Sequence, residues 1–195
     1  IFTRTVLVGI QAGPEITENY TLVLKAHIDF ASLVFPPGTT GGQLDAIARR
    51  PLWDRGLDYA HGTGHGVGHV LAVHEGPQRV STRNSDVPLE EGMVISDEPG
   101  YYKEGAYGIR LENLLVVRAS GQPQLRHMLH FEPLSMVPFD RRLIRTDMLT
   151  EAELTWLNAY HAQVFQAIST AGGLTEDDPL LTWLREATAP LKAPA

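Results

Sequence analysis

The spacing of hydrophobic positions changes several times along the chain, and each change predicts an element. Residues 2–10 are rich in apolar and β-branched side chains and close at Gly13-Pro14, which predicts a strand and a turn. Thr17 is a candidate helix cap with Glu18 in the first turn. Tyr20, Val23, Leu24, His27, Ala31 and Val34 then recur at helical spacing. Pro36-Pro37-Gly38 ends that helix. Leu44, Ile47, Ala48 and Leu52 predict a second helix, which Pro51 should kink or end because its ring clashes with the carbonyl four residues back.

From Tyr59 to Val117 glycines are dense and short apolar runs alternate with turns. Residues 70–73, 93–96, 109–111 and 114–117 predict short strands of an antiparallel sheet, with another in 124–134. The last third is helical. Thr150-Glu151-Ala152-Glu153 is a capping box, in which each side chain satisfies a backbone N–H at the helix start. Leu154, Leu157, His161, Val164 and Ile168 continue one face until Gly172-Gly173. Asp178-Pro179 opens a final helix with Leu180, Leu181 and Leu184, stopped before Pro190. The order strand, helices, sheet, helices predicts the α+β class.

Composition narrows the chemistry. The 195 residues suffice for one domain of ordinary size, and 43% hydrophobic with 20% charged residues is a globular balance. No apolar run approaches the roughly 18 residues of a membrane span, and the start is not a signal peptide, so no membrane partner is expected. A formal charge of −7 argues against nucleic acid or an anionic membrane as partner. The absence of cysteine excludes disulfides, thiolate ligands and Cys nucleophiles, and fits a reducing compartment. The chain begins at Ile1 in a strand-like run, from which a longer parent chain is expected.

The candidate chemistry lies in three segments. Histidines cluster among glycines in His61-Gly62-Thr63-Gly64-His65-Gly66-Val67-Gly68-His69, followed by Val73-His74-Glu75-Gly76-Pro77. Glycine lets the backbone approach a ligand closely, and neutral imidazole is the commonest metal ligand. The plainer alternative is a Gly-rich turn with exposed histidines. In Asp97-Glu98-Pro99-Gly100-Tyr101-Tyr102, Glu98 ends an apolar strand. In Gly108-Ile109-Arg110-Leu111-Glu112-Asn113, Glu112 interrupts one. A carboxylate inside an apolar strand needs a compensating charge, which a metal ion provides. The alternative sets both glutamates on a solvated edge, with Arg110 on the same face as Glu112. One His and two Glu form a hard-to-borderline donor set suited to Mn, Co, Zn or Fe.

These segments resemble the pita-bread metallopeptidases, most closely the cytosolic type of aminopeptidase P (Xaa-Pro aminopeptidase). Thr3-Arg4-Thr5, Leu52-Trp53-Asp54-Arg55-Gly56-Leu57-Asp58-Tyr59, Phe131-Glu132-Pro133-Leu134 and Trp156-Leu157-Asn158-Ala159-Tyr160-His161 extend the likeness over nearly the whole chain. The resemblance implies a partial pita-bread catalytic domain over residues 1–138 and a C-terminal helical extension over 139–195. It implies His65, Glu98 and Glu112 as metal ligands, with Glu98 also the general base and Glu112 bridging two metals. His61 and His74 match the histidines that line the substrate pocket and steady the reacting peptide. Arg110 matches the arginine that orders the carboxylates. His69 matches no role.

The implied cofactors are two divalent metal ions, Mn foremost, with Co or Zn as alternatives. The implied reaction is release of the N-terminal residue from a peptide with proline in second position, by attack of a metal-activated water. A cytoplasmic homodimer is implied for the full-length enzyme. The family's two aspartate ligands precede the Thr-Arg-Thr strand. The nearer falls at the position of Ile1 and the farther before the chain, so the isolated chain is expected to be inactive. The competing readings are a catalytically dead pita-bread module that binds peptide or protein and, among enzymes, prolidase.

Overall fold

The computed structural model describes residues 1–70, 72–83 and 86–193. The chain divides into two compact units, Ile1–Thr3 with Leu22–Ser135 and Arg4–Thr21 with Met136–Ala195. The elements run α1 (Pro14–Ala31), β1 (Val34–Phe35), α2 (Gly41–Trp53), β2 (Gly64–His65), β3 (Arg79–Val80), β4 (Val94–Asp97), β5 (Gly100–Lys103), β6 (Tyr107–Arg110), β7 (Asn113–Ala119), β8 (Leu129–Pro133), α3 (Glu151–Ala171) and α4 (Pro179–Ala187). This is the α+β mixture expected.

Several expected boundaries move, each for a local reason. The strand over 2–10 does not form. Thr3 alone pairs, as an isolated bridge with Glu112, and further on the Leu7 amide donates to the Asp140 carboxylate at 2.9 Å instead of a ladder. Helix α1 starts at Pro14, where a missing N–H costs nothing, so Thr17 lies inside it and donates its hydroxyl back to the Pro14 carbonyl at 3.0 Å. The helix stops at Ala31, and Val34 turns into β1. Helix α2 runs past Pro51 to Trp53. No strand is described at 70–73: Val70 adopts a φ of 56°, which a strand cannot hold, and Leu71 lies outside the described residues. The capping box at Thr150 and the Asp178 cap form as expected.

The first unit is built on a four-stranded sheet ordered β1-β8-β7-β4, with antiparallel pairs throughout. Ile95, Leu115 and Val117 are fully buried in it. Phe131 of β8 stacks on Phe30 of α1, ring centroids 4.8 Å apart, and also meets Phe35. Two two-stranded sheets, β2-β3 and β5-β6, carry His65 and Arg110.

A buried ion cluster fixes the loop between α2 and β2. Arg49 is 2% exposed, and its Nε donates to Asp45 at 2.7 Å across one helical turn. The rest of its guanidinium reaches Asp58 at 2.9 Å and the carbonyls of Tyr59 and His61, each at 2.7 Å. Thr63 donates to Asp45 at 2.6 Å, and the Tyr59 ring lies 4.1 Å from the guanidinium carbon. One side chain therefore holds the backbone from Asp58 to His61.

In the second unit, Leu157, Tyr160, His161 and Val164 of α3 are buried, as are Leu181 and Leu184 of α4. Arg4 lies over the Phe139 ring at 4.1 Å and donates to the Val137 carbonyl at 2.7 Å. His161 accepts the Phe139 amide at Nε2, at 3.1 Å. Burial, then the charges of Arg141 and Arg4, push its pKa down to about 4.

Two predictions follow from these buried groups. Arg49→Met leaves Asp45 buried without its counter-charge and should cost about 3–5 kcal/mol in urea denaturation. Replacing both residues with apolar ones should recover much of that loss. For His161, the unfolded chain takes up a proton near pH 6.5 that the folded chain refuses until about pH 4. Its contribution is complete above pH 6.5 and is lost as the pH falls, by about 3 kcal/mol at most. His161→Gln should flatten the fall in stability between pH 7 and pH 4.5; an unchanged slope would count against the assignment.

Candidate metal centre

The glycines around His65 are required by close approach. A Cβ on Gly64 would sit 1.9 Å from the Ser96 carbonyl oxygen, and one on Gly66 would sit 2.1 Å from that of Glu75. Only bare backbone lets β2 lie this close to β4. His65 is fixed from both ends. Its amide donates to Ser96 Oγ at 3.0 Å, and its Nδ1 donates to the Gly66 carbonyl at 2.9 Å. That bond selects the tautomer and turns Nε2 toward Glu98, 3.2 Å from Oε1.

The two glutamates come from neighbouring strands. Strands β4 and β7 pair with Asp97 opposite Asn113, so the next step of the same register sets Glu98 against Glu112. Alternation along a strand sends Asp97 and Asn113 to one face and the glutamates to the other. Glu98 accepts from the Ser96 hydroxyl at 3.1 Å, and its amide donates to the Thr63 carbonyl at 2.7 Å. Glu112 is 4% exposed, which overturns the solvated-edge alternative for this residue. Thr3 donates its hydroxyl to the Glu112 carboxylate and accepts the Glu112 amide at 2.9 Å.

One nitrogen of His65 and one oxygen from each glutamate lie within 4.8 Å of one another. Among the described residues no other His, Asp or Glu joins this group. The electrostatics suit a cation. The Glu98 carboxylate raises the His65 pKa against the opposing effect of burial. Burial pushes Glu98 up, but its bonds to His65 and Ser96 and the charge of Arg110 leave it below the usual range. A divalent cation held there would compete with a proton for His65 Nε2. The converging donors and the oriented Nε2 therefore fit a divalent metal.

Beside this group lies a second chain of contacts. His61 donates Nδ1–H to the Gly62 carbonyl at 2.8 Å, so Nε2 accepts the Tyr102 hydroxyl at 2.7 Å. Tyr102 in turn accepts from Arg110 Nε at 2.8 Å, and Arg110 reaches 3.8 Å from Glu98. Burial lowers the His61 pKa, keeping the ring neutral. The His74 ring lies 4.1 Å from that of His65, and His74 is exposed. The structure thus links His61, His65, His74, Glu98 and Arg110 by contacts and brings Glu112 within 4.8 Å of His65 and Glu98; His69 is exposed and takes no part in the contacts described.

Sequence reasoning missed Thr3, Ser96 and Tyr102, which bind the candidates directly. It also missed His27, whose Nδ1 lies 2.9 Å from Asp97 Oδ2 with both side chains fully buried. Burial pushes the Asp97 pKa up to about 6, opposed by His27. A histidine at a core position of a helix, such as His27, was the available signal.

Comparison with known proteins places the chain in one family. The pattern of metallopeptidase family M24 matches residues 2–119, and that of the C-terminal region of peptidase_M24 matches residues 127–191. The chain is 49% identical over 195 residues to a probable Xaa-Pro aminopeptidase P of Fusarium vanettenii, covering 96% of this chain and 30% of that protein. A probable Xaa-Pro aminopeptidase P of Talaromyces marneffei is 48% identical, with 97% and 29% covered. The chain thus spans about 30% of the length of these relatives. Among solved structures, the X-prolyl aminopeptidase of Caenorhabditis elegans, described as a cytosolic enzyme with a di-nuclear active site, superposes with a TM-score of 0.90 at 38% identity, covering 97% of this chain and 31% of that one. The Xaa-Pro dipeptidase of Bacillus anthracis gives 0.59 at 32% identity, with 71% and 36% covered. The chain belongs to metallopeptidase family M24 and carries its pita-bread fold.

Proposed function

We propose that this chain supplies three ligands, His65, Glu98 and Glu112, to the dinuclear centre of an Xaa-Pro aminopeptidase. The observation that carries the reading is the convergence of their donor atoms within 4.8 Å, with each side chain oriented by a neighbour. Divalent ions held there, Mn foremost, would act as Lewis acids and make a water nucleophilic near neutral pH.

The chain's own groups divide the remaining work. Glu98 stays ionised and accepts the proton that the attacking water gives up. His61, neutral and fixed by Gly62 and Tyr102, lines the substrate side, and the exposed His74 flanks His65. Arg110 orients Tyr102 and adds positive charge near Glu98. The substrate is a peptide with proline in second position. The aminopeptidase reading is preferred to prolidase because the C-terminal region matches and the fold of the C. elegans enzyme covers nearly the whole chain, against 71% for the dipeptidase. The retained ligands argue against a dead binding module. A cytosolic homodimer is part of the same reading.

In a chain of the relatives' length loaded with Mn(II), Glu98→Gln should lower kcat by about 10³-fold or more. Near-normal turnover would remove Glu98 from its role. The parent protein should cleave Xaa-Pro-Yaa tripeptides far faster than Xaa-Pro dipeptides; the reverse order would restore prolidase.

A further inference from the structure

We propose that His27 is a positioning residue for the metal centre. From α1 it bridges β4 and β7 on the sheet face opposite the ligands, and so fixes the separation of Glu98 from Glu112. The proposal rests on the reading of His65, Glu98 and Glu112 as ligands.

His27 reaches both strands at once. Its Nδ1 lies 2.9 Å from Asp97 Oδ2, a close contact although not aligned as a straight hydrogen bond. Its Nε2 lies 3.2 Å from the Asn113 side-chain nitrogen. The Asn113 amide nitrogen can only donate, so Nε2 is the acceptor and the ring proton sits on Nδ1, facing Asp97. All three side chains are fully buried.

The two residues that His27 joins are register partners, and each is the chain neighbour of a ligand. The ladder of β4 and β7 ends at this pair. One step beyond it, Glu98 and Glu112 bring like charges face to face across the strands, an arrangement that pushes strands apart. The bridge therefore acts at the last pair before the repulsion. An apolar side chain at position 27 would pack equally well in the helix, but would leave the Asp97 carboxylate buried without a partner from α1.

The experiment compares the full chain with His27→Phe, His27→Asn and Glu112→Gln, titrated with Mn(II) and followed by calorimetry. Phe keeps the ring and removes both nitrogens. Asn keeps a polar group beside Asp97 but is too short to reach Asn113. His27→Phe should bind Mn(II) on the order of 10-fold more weakly, with His27→Asn in between. Unchanged affinity in a folded His27→Phe overturns the proposal. Glu112→Gln tests the underlying reading: if it binds Mn(II) as tightly as the parent, the ligand assignment fails, not the bridge. Should His27→Phe not fold, or the parent take up no Mn(II), hydrogen exchange in His27→Asn decides. Faster exchange at the Glu98 and Glu112 amides, with that of α1 unchanged, supports the bridge. No change at either amide overturns it.

Discussion

Two carboxylates set against each other across antiparallel strands repel, and the side chains around Glu98 and Glu112 meet that repulsion. Without compensation, like charges at facing positions cost stability, and more when water is excluded, as at Glu112. The fold brings in partners from several directions. Thr3 binds Glu112, Ser96 and His65 bind Glu98, and Arg110 approaches from 3.8 Å. The oxygens of Glu98 and Glu112, together with the His65 nitrogen, form a hard-to-borderline donor set of the kind that suits a divalent cation.

The glycine-rich segment follows from the same constraint. His65 can face Glu98 only if β2 lies against β4, and any side chain at Gly64 or Gly66 would collide with backbone carbonyls. The loop leading into β2 is then fixed by Arg49, which binds the carbonyls of Tyr59 and His61 while its charge is balanced by Asp45 and Asp58. Thr63 completes the link, since its hydroxyl binds Asp45 and its carbonyl accepts the Glu98 amide. Helix α2 is thus connected to the base candidate through one continuous set of hydrogen bonds.

How much of this was legible depended on whether the signal was local. The capping box at Thr150 and the Asp178-Pro179 start are decided within a few residues, and both formed. The three ligand candidates were legible because His and Glu among glycines and apolar residues are chemically out of place. The strand over 2–10 was misread because its composition says nothing of a partner: beyond Thr3 the Leu7 amide goes to Asp140, far away in sequence. The same reason hid Thr3, Ser96 and Tyr102. Hydroxyl residues are common, and only the fold shows which of them meets a carboxylate or an imidazole.

His27 shows where a correct pattern still conceals a function. Helical spacing places it on the core face of α1, and it is indeed fully buried. Periodicity treats it as one more core residue, yet a buried imidazole needs partners for two nitrogens, and an apolar side chain would need none. Those partners, Asp97 and Asn113, look ordinary beside the glutamates that follow and precede them. The strand's period of two explains the arrangement. Residues flanking a ligand necessarily point to the opposite face, so the polar groups that steady a strand-borne metal site fall one position away in sequence and a full sheet thickness away in space. A buried histidine on the covering helix is the kind of residue able to meet them there.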